Sequence, residues 1–257
     1  MDLPQDLTDI QIKARKNFLL AALSEDTRRE LFGFARLETY KRGEILANQG
    51  QSTDAVYFVL SGLIVSIFEG TDGTGIANGM RGPEAAYGAI GMGRAPTTHK
   101  SEIGTGRVFA QIATEVLAVR RADFVKVLTK SNDLLRVVLS HAAEVVRSHE
   151  LTLNCSRHHR IDNRLAHLLS TLTFYNEDSE IPTTHSELGE MLGVRRESIS
   201  TALSDFERKN MIQVNRGRVS ILDSALLENY SCECHHELIG LRARKATGPI
   251  NWTNDSC

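Results

Sequence analysis

Residues 183–218 read TTHSELGEMLGVRRESISTALSDFERKNMIQVNRGR. Leu188, Leu192, Val194, Ile199 and Leu203 recur at helical spacing and supply one apolar seam, broken where Gly189 and Gly193 fall. A glycine at 189 lets two helices cross closely, and one at 193 suits a tight turn with positive φ. Thr184 with Glu187 three residues on is a capping box, which places a helix start there. Downstream, MIQVNRGRVSI alternates into a strand, turns at Arg216–Gly217 and returns as a second strand. The segment therefore predicts a winged helix-turn-helix, an architecture whose partner is duplex DNA. A generic helical hairpin would show the same seam; the basic wing is what separates the two readings.

Within that layout the contact residues follow from position. Arg195, Arg196, Glu197, Ser198, Ser200 and Thr201 occupy the first two turns of the second helix, the part that enters the major groove. Arginine grips guanine in two places, glutamate accepts from cytosine, and hydroxyls bond bases or phosphates. Thr183, Thr184 and His185 at the start of the first helix are further candidate DNA contacts, and Arg216 and Arg218 at the wing tip are candidate phosphate contacts.

The 257-residue chain has room for two compact domains and a connector. It is 41% hydrophobic and 24% charged with a formal net charge of −2, an ordinary globular composition. A DNA binder with this balance must gather its positive charge locally, so affinity is expected to fall steeply with salt. The longest early apolar run, NFLLAAL at 17–23, is too short for a membrane span and lacks the features of a secretory signal. Cys155, Cys232, Cys234 and Cys257 make no disulfide framework, and free thiols suit the cytoplasm.

Between Arg42 and Asp123, glycines punctuate short runs of β-formers such as AVYFVLSG and LIVSIFEG, and Asp72–Gly73 is a hairpin signal. This predicts a small double-sheet β-roll. From Leu134 the period becomes helical. Leu135, Leu139, Ala142, Val146, His149 and Leu153 step by four and three, flanked by Val138 and Val145, as in the seam of a two-stranded coiled coil. The expectation is a parallel homodimer, with His149 a tolerated polar seam residue. The fold class is thus α+β. A β-roll with N-terminal helices spans 1–130, a dimerisation helix 131–156, a winged helix-turn-helix 157–237 and a tail 238–257.

In order along the chain, GEILANQG and VYFVLSG in the roll, NCSRHHRIDNRLAHLL at 154–169, LGVRRESIS and RGRVSILD resemble the Crp/Fnr family of bacterial transcription regulators over roughly 18–237. The resemblance implies a jelly-roll sensor domain, promoter binding as a dimer on an inverted repeat, and contact with RNA polymerase in an activator. It also implies an effector pocket, here at Gly88, Ile90, Gly91, Thr105 and Arg107. The family's cyclic-nucleotide pocket uses a Gly-Glu-Leu-Gly-type turn for the ribose and an Arg-Ser or Arg-Thr pair for the cyclic phosphate. This chain has YGAIGMG from Tyr87 and Gly104–Thr105 instead, with Arg107 displaced about 7 Å along a strand. Cyclic AMP is therefore not expected.

Other cofactors are not expected either. The family's oxygen-sensing branch holds iron and sulfide with N-terminal cysteines, and no cysteine precedes Cys155. The front half has one histidine, His99, in a loop, which is a poor axial haem ligand. Cys232, Cys234, His235 and His236 crowd four donors into one short segment, and such a segment rarely folds around a metal by itself, so they are read as packing residues of a C-terminal helix. No nucleophile motif, phosphate-binding glycine loop or metal-ligand pair at i, i+4 is recognised, so no enzyme is expected. The competing readings are a regulator set by abundance alone and a ligand-binding module acting through a protein partner.

Overall fold

The computed structural model describes residues 5–51, 53–71, 74–90, 106–176 and 178–246. The Asp72–Gly73 signal and the candidates Gly91, His99, Thr105 and Cys257 lie outside them. The chain opens with α1 (Gln5–Ala14), α2 (Phe18–Ala21) and α3 (Glu25–Phe32). The strands β1 (Ala35–Tyr40), β2 (Ile45–Ala47), β3 (Ala55–Ser61), β4 (Ile64–Glu69), β5 (Gly75–Arg81), β6 (Ala86–Tyr87), β7 (Arg107–Ala110) and β8 (Thr114–Arg120) follow. After them come α4 (Arg121–Leu128), α5 (Asn132–His158), α6 (Ile161–Tyr175), β9 (Glu180–Pro182), α7 (His185–Leu192) and α8 (Arg196–Arg208). The chain continues with β10 (Ile212–Asn215), β11 (Arg218–Ile221), α9 (Ser224–Tyr230) and α10 (Glu233–Ala246).

The eight front strands form two four-stranded antiparallel sheets, β1-β8-β3-β6 and β2-β7-β4-β5. Val59, Ile64, Val108 and Val116 fill the space between them. These β-branched side chains pack well on a pleated surface, which is why this glycine-punctuated stretch closes as a roll. The N-terminal helices are pinned by Asn17, a fully buried polar residue with every hydrogen-bonding group engaged. Its Nδ2 donates to the carbonyls of Val59 and Ala85 at 2.8 and 2.9 Å, and its Oδ1 caps α2 at the amides of Leu19 and Leu20.

The 27-residue α5 runs about 40 Å at the usual helical rise. One face buries Leu134, His141, Leu151 and Cys155 against the rest of the chain. The opposite face leaves Leu139, Val146 and Leu153, seven residues apart, 60%, 57% and 72% exposed. The packed face stabilises the helix, and the exposed stripe leaves an apolar surface open for a partner.

The C-terminal domain is docked on the roll. A single apolar cluster runs from Val65, Ile67 and Phe109 of the β2-β7-β4-β5 sheet to Leu169, Leu188 and Met191 of the helical domain. Polar contacts frame it: Tyr175 Oη donates to Glu84 at 2.6 Å, and Arg107 bridges Glu69 at 2.8 Å and Glu190 at 2.6 Å. Burial opposes the charge on Arg107, but the two carboxylates outweigh it and hold the guanidinium more firmly protonated than usual.

Two features depart from the sequence reading. The helix α10 covers the first part of the expected tail, running from Glu233 to Ala246. The strand β9 pairs with β11 and makes the wing a three-stranded sheet, β10-β11-β9. Among the described residues no helix is long and apolar enough to cross a membrane.

Candidate nucleic-acid interface

The site is built from α7, α8 and the wing. At its start, Thr184 and Glu187 close the capping box: the Glu187 amide donates to Thr184 Oγ1 at 3.2 Å and the Thr184 amide to Glu187 Oε2 at 2.7 Å. At its end, Gly193 is the left-handed cap with φ +65°, a conformation that disfavours a side chain. Gly189 admits the start of α8: a Cβ there would lie 2.9 Å from the Val194 carbonyl oxygen. Arg164 Nη2 donates to the Leu192 carbonyl at 2.5 Å, satisfying another carbonyl of the last turn.

These constraints fix how α8 is presented. Ile199, Ala202, Leu203 and Phe206 are buried inward, while Arg195, Arg196, Glu197 and Thr201 are exposed and Ser198 and Ser200 are half-buried. Ser200 is held in place, since its hydroxyl bonds the Arg196 carbonyl at 3.1 Å and lies 2.8 Å from Nδ1 of His185. Thr201 bonds back to the Glu197 carbonyl at 3.0 Å. Of the proposed reading residues, the two arginines and the glutamate are the ones whose tips are exposed on the opening turn.

Across from that turn, Arg216 and Gly217 form the exposed tip between β10 and β11. A groove of about 450 Å³ lies between wing and helices, lined by Thr184, His185, Arg196, Arg216 and Arg218 among others. It brings the amino end of α7, where unpaired N–H groups favour anions, next to three guanidinium groups. Two candidates are placed differently from the simplest expectation. Thr183 is 2% exposed and serves the frame, its amide donating to the Gly217 carbonyl at 3.0 Å. Arg218 is bridged to Glu180 at 2.7 Å, so its charge is partly answered within the wing.

The seam residues divide between two faces of α5. Leu135, Leu139, Val146, His149 and Leu153 are exposed and Ala142 is half-buried. Val138 packs against the core of the front domain, and Val145 lines a cavity between α5 and the roll. His149 borders the same cavity. Burial, and then the charge of Arg81, hold its imidazole below the ordinary value in spite of a backbone bond at Asn78.

The expected effector pocket is answered at three positions. Gly88 takes φ +82° and Ile90 is 42% exposed. Arg107 lies on β7 with its guanidinium occupied by Glu69 and Glu190. A cyclic phosphate in a low-dielectric pocket needs an open cation or converging N–H donors. Among the described residues Arg107 does not offer an open cation, because both carboxylates already hold it.

The sequence reading weighed Cys232 and Cys234 only with their neighbours in one short segment and missed the partners the fold brings to them. Cys232 and Cys234 are met by Cys155 and His159 from the end of α5, with all four donor atoms within 4.8 Å of one another. Cys155 and His159 are themselves a donor pair at i, i+4, the very signal held to be missing. Neither His235 nor His236 belongs to the group.

Two family descriptions match the chain: a cyclic nucleotide-binding domain over residues 37–131 and a Crp-like helix-turn-helix domain over residues 163–230. Curated relatives include the cyclic AMP receptor protein of Thermus thermophilus, 23% identical over 189 residues, covering 74% of this chain and 85% of that protein. Another is the transcriptional regulatory protein btr of Bordetella pertussis, 26% identical over 196 residues and covering 71% and 76%. Among solved structures, a Crp/Fnr-family protein from Eubacterium rectale superposes with a TM-score of 0.67 at 19% identity, covering 82% of this chain and 96% of that one. With a β-roll, a long helix and a winged helix-turn-helix in this order, and both domain descriptions matched in place, the chain belongs to the Crp/Fnr family of DNA-binding transcription regulators.

Proposed function

We propose that two copies pair through the exposed face of α5 and seat their α8 helices in successive major grooves of an inverted-repeat promoter site. The observation that carries this reading is the exposure of Arg195, Arg196 and Glu197 at the opening turn of α8, with Arg196 lining one groove together with Arg216 and Arg218 of the wing. Arg196 and Glu197 read base edges, while Arg216 and the amino end of α7 hold phosphates. The heptad of exposed apolar residues on α5 supports the homodimer, and a two-fold axis spaces the half-sites ~34 Å apart. The protein acts in the cytoplasm. RNA polymerase is a partner wherever the bound site lies close enough for contact, as an activator requires.

The front domain in this reading is not a cyclic AMP receptor, because Arg107 is engaged by carboxylates. It sets the position of the helix-turn-helix directly, under an effector of other chemistry or under protein abundance alone. Only an effector with different affinity for two arrangements can shift them.

Selection from a random duplex pool tests the proposal. A recovered palindrome with half-sites one helical turn apart is the expected result. A folded sample that enriches no duplex, with or without cell extract, overturns DNA reading. Light scattering that finds only monomer at working concentration overturns the pairing, and calorimetry showing micromolar cyclic AMP binding overturns the effector part.

A further inference from the structure

Cys155 and Cys232 are 77 residues apart in sequence, yet the end of α5 and the start of α10 bring together Cys155, His159, Cys232 and Cys234. Cys155 lies in the last turn of α5 and His159 is its C-cap, Cys232 lies just before α10, and Cys234 is in its first turn. The three thiols are 6%, 5% and 2% exposed and form an apolar-style cluster of their own. The Cys155 and Cys232 sulfurs are 3.5 Å apart, and the Cys234 sulfur is 3.7 Å from Nδ1 of His159.

Those separations have a definite meaning. A tetrahedral ion bound at ~2.3 Å to sulfur and ~2.0 Å to imidazole nitrogen puts neighbouring sulfurs ~3.8 Å apart, and sulfur and nitrogen ~3.5 Å apart. A disulfide needs ~2.05 Å between sulfurs, and an iron–sulfur cluster interposes bridging atoms that spread its ligands more widely. The spacing here suits one ion.

The surroundings are built for the same purpose. Nε2 of His159 is 3.0 Å from a Glu233 carboxylate oxygen, which leaves Nδ1 as the lone-pair nitrogen aimed at the thiols. Nδ1 of His167 is 3.8 Å from the Cys232 sulfur, close enough for an N–H···S bond to a thiolate. Four donors with an outer layer and little solvent access make a closed, structural arrangement, with no coordination position left for a substrate.

We propose that Cys155, His159, Cys232 and Cys234 bind a single divalent metal ion of the zinc class, tetrahedrally and with Nδ1 of His159 as the nitrogen ligand. The ion clamps the last turn of α5 to α10, beside the Arg147–Glu237 bridge at 2.7 Å between the same helices. It therefore braces the bend at His159 and Arg160, where α5 gives way to α6 and the helix-turn-helix domain begins.

The site does not depend on the DNA reading, and its test uses no DNA. The full chain, purified without an affinity tag, is analysed for metal by mass spectrometry and then reloaded with cobalt(II). The expected result is one zinc-class ion per chain, and with cobalt the strong visible bands of a tetrahedral ion plus a thiolate charge-transfer band. Cys234→Ser should lose more than about 90% of the metal, while Cys257→Ser retains it all. Should Cys234→Ser fail to fold, His159→Cys serves instead: it retains the ion and shifts the cobalt bands to those of a four-thiolate site. Metal-free protein that also gives no cobalt charge-transfer band overturns the proposal. So does a Cys155–Cys232 disulfide found by peptide mapping under non-reducing conditions.

Discussion

Arg42, on the turn between β1 and β2, places Nη2 2.8 Å from both carboxylate oxygens of Glu187 and donates from Nε to the Pro182 carbonyl at 3.0 Å. Glu187 is also the residue that closes the capping box of α7. One carboxylate thus serves both the helix start and the seat of the domain on the roll. Glu187→Ala should cost more stability than Arg42→Ala by about 0.5–1 kcal/mol, because both lose the half-exposed ion pair but the first also uncaps α7, a larger loss than the exposed bond from Arg42 to the Pro182 carbonyl. Urea unfolding of both variants checks this; equal losses would refute the double role.

Replacing Arg196 by Ala is expected to weaken binding to the selected site by about 1–3 kcal/mol and to relax preference at one base position. Arg216→Ala should weaken all duplexes almost equally and lower the salt slope by about one. Anisotropy titrations on cognate and scrambled duplex at several salt concentrations distinguish the two. Equal losses on both duplexes for Arg196→Ala would remove it from base reading.

Charges placed on the exposed heptad, as in Leu139→Lys with Val146→Lys, should give a folded monomer whose far-ultraviolet circular dichroism is unchanged. Its affinity for the full palindrome should fall by at least about tenfold, since two half-sites then bind independently. A variant that remains dimeric in light scattering would place the interface elsewhere.

Acid should loosen the junction of α3 and α5. Burial disfavours the charge on Asp133, but hydrogen bonds from Ser131, the Ser24 amide and Thr27 outweigh it and hold its carboxyl well below the ordinary 3.8. A depressed carboxyl contributes stability that is fully present above its unfolded value and is lost as pH falls through the folded one. Thermal melts should therefore show a stability loss from about pH 4 downward in the natural chain. That part of the slope should be missing in Asp133→Asn.

The parts of the interface visible in the sequence were those encoded locally. The capping box at Thr184 and Glu187, the turn at Gly193 and the Arg216–Gly217 hairpin each depend on residues within a few positions of one another. The β9 strand escaped because three residues ending in proline carry no alternation, and only its partner β11 defines it. The carboxylate partners of Arg107 come from β4 and α7, 38 and 83 residues away, so no local spacing announces them. The thiol and imidazole group was hidden for the same reason, although Cys155 and His159 alone did carry a helical ligand spacing.

The contact between β5 and the turn at Gly193 gives the roll a hold on the angle at which α8 leaves its neighbour. A Cβ on Gly193 would meet Ile76 at 3.4 Å, so strand and loop already abut. Sliding β5 away would open a void, at about 24 cal/mol for each Å³ left unfilled, unless the loop travelled with it. Following is the cheaper course, so in the proposed reading β5 and the turn before α8 would move as one, a link between roll and α8 that does not run along the shaft of α5.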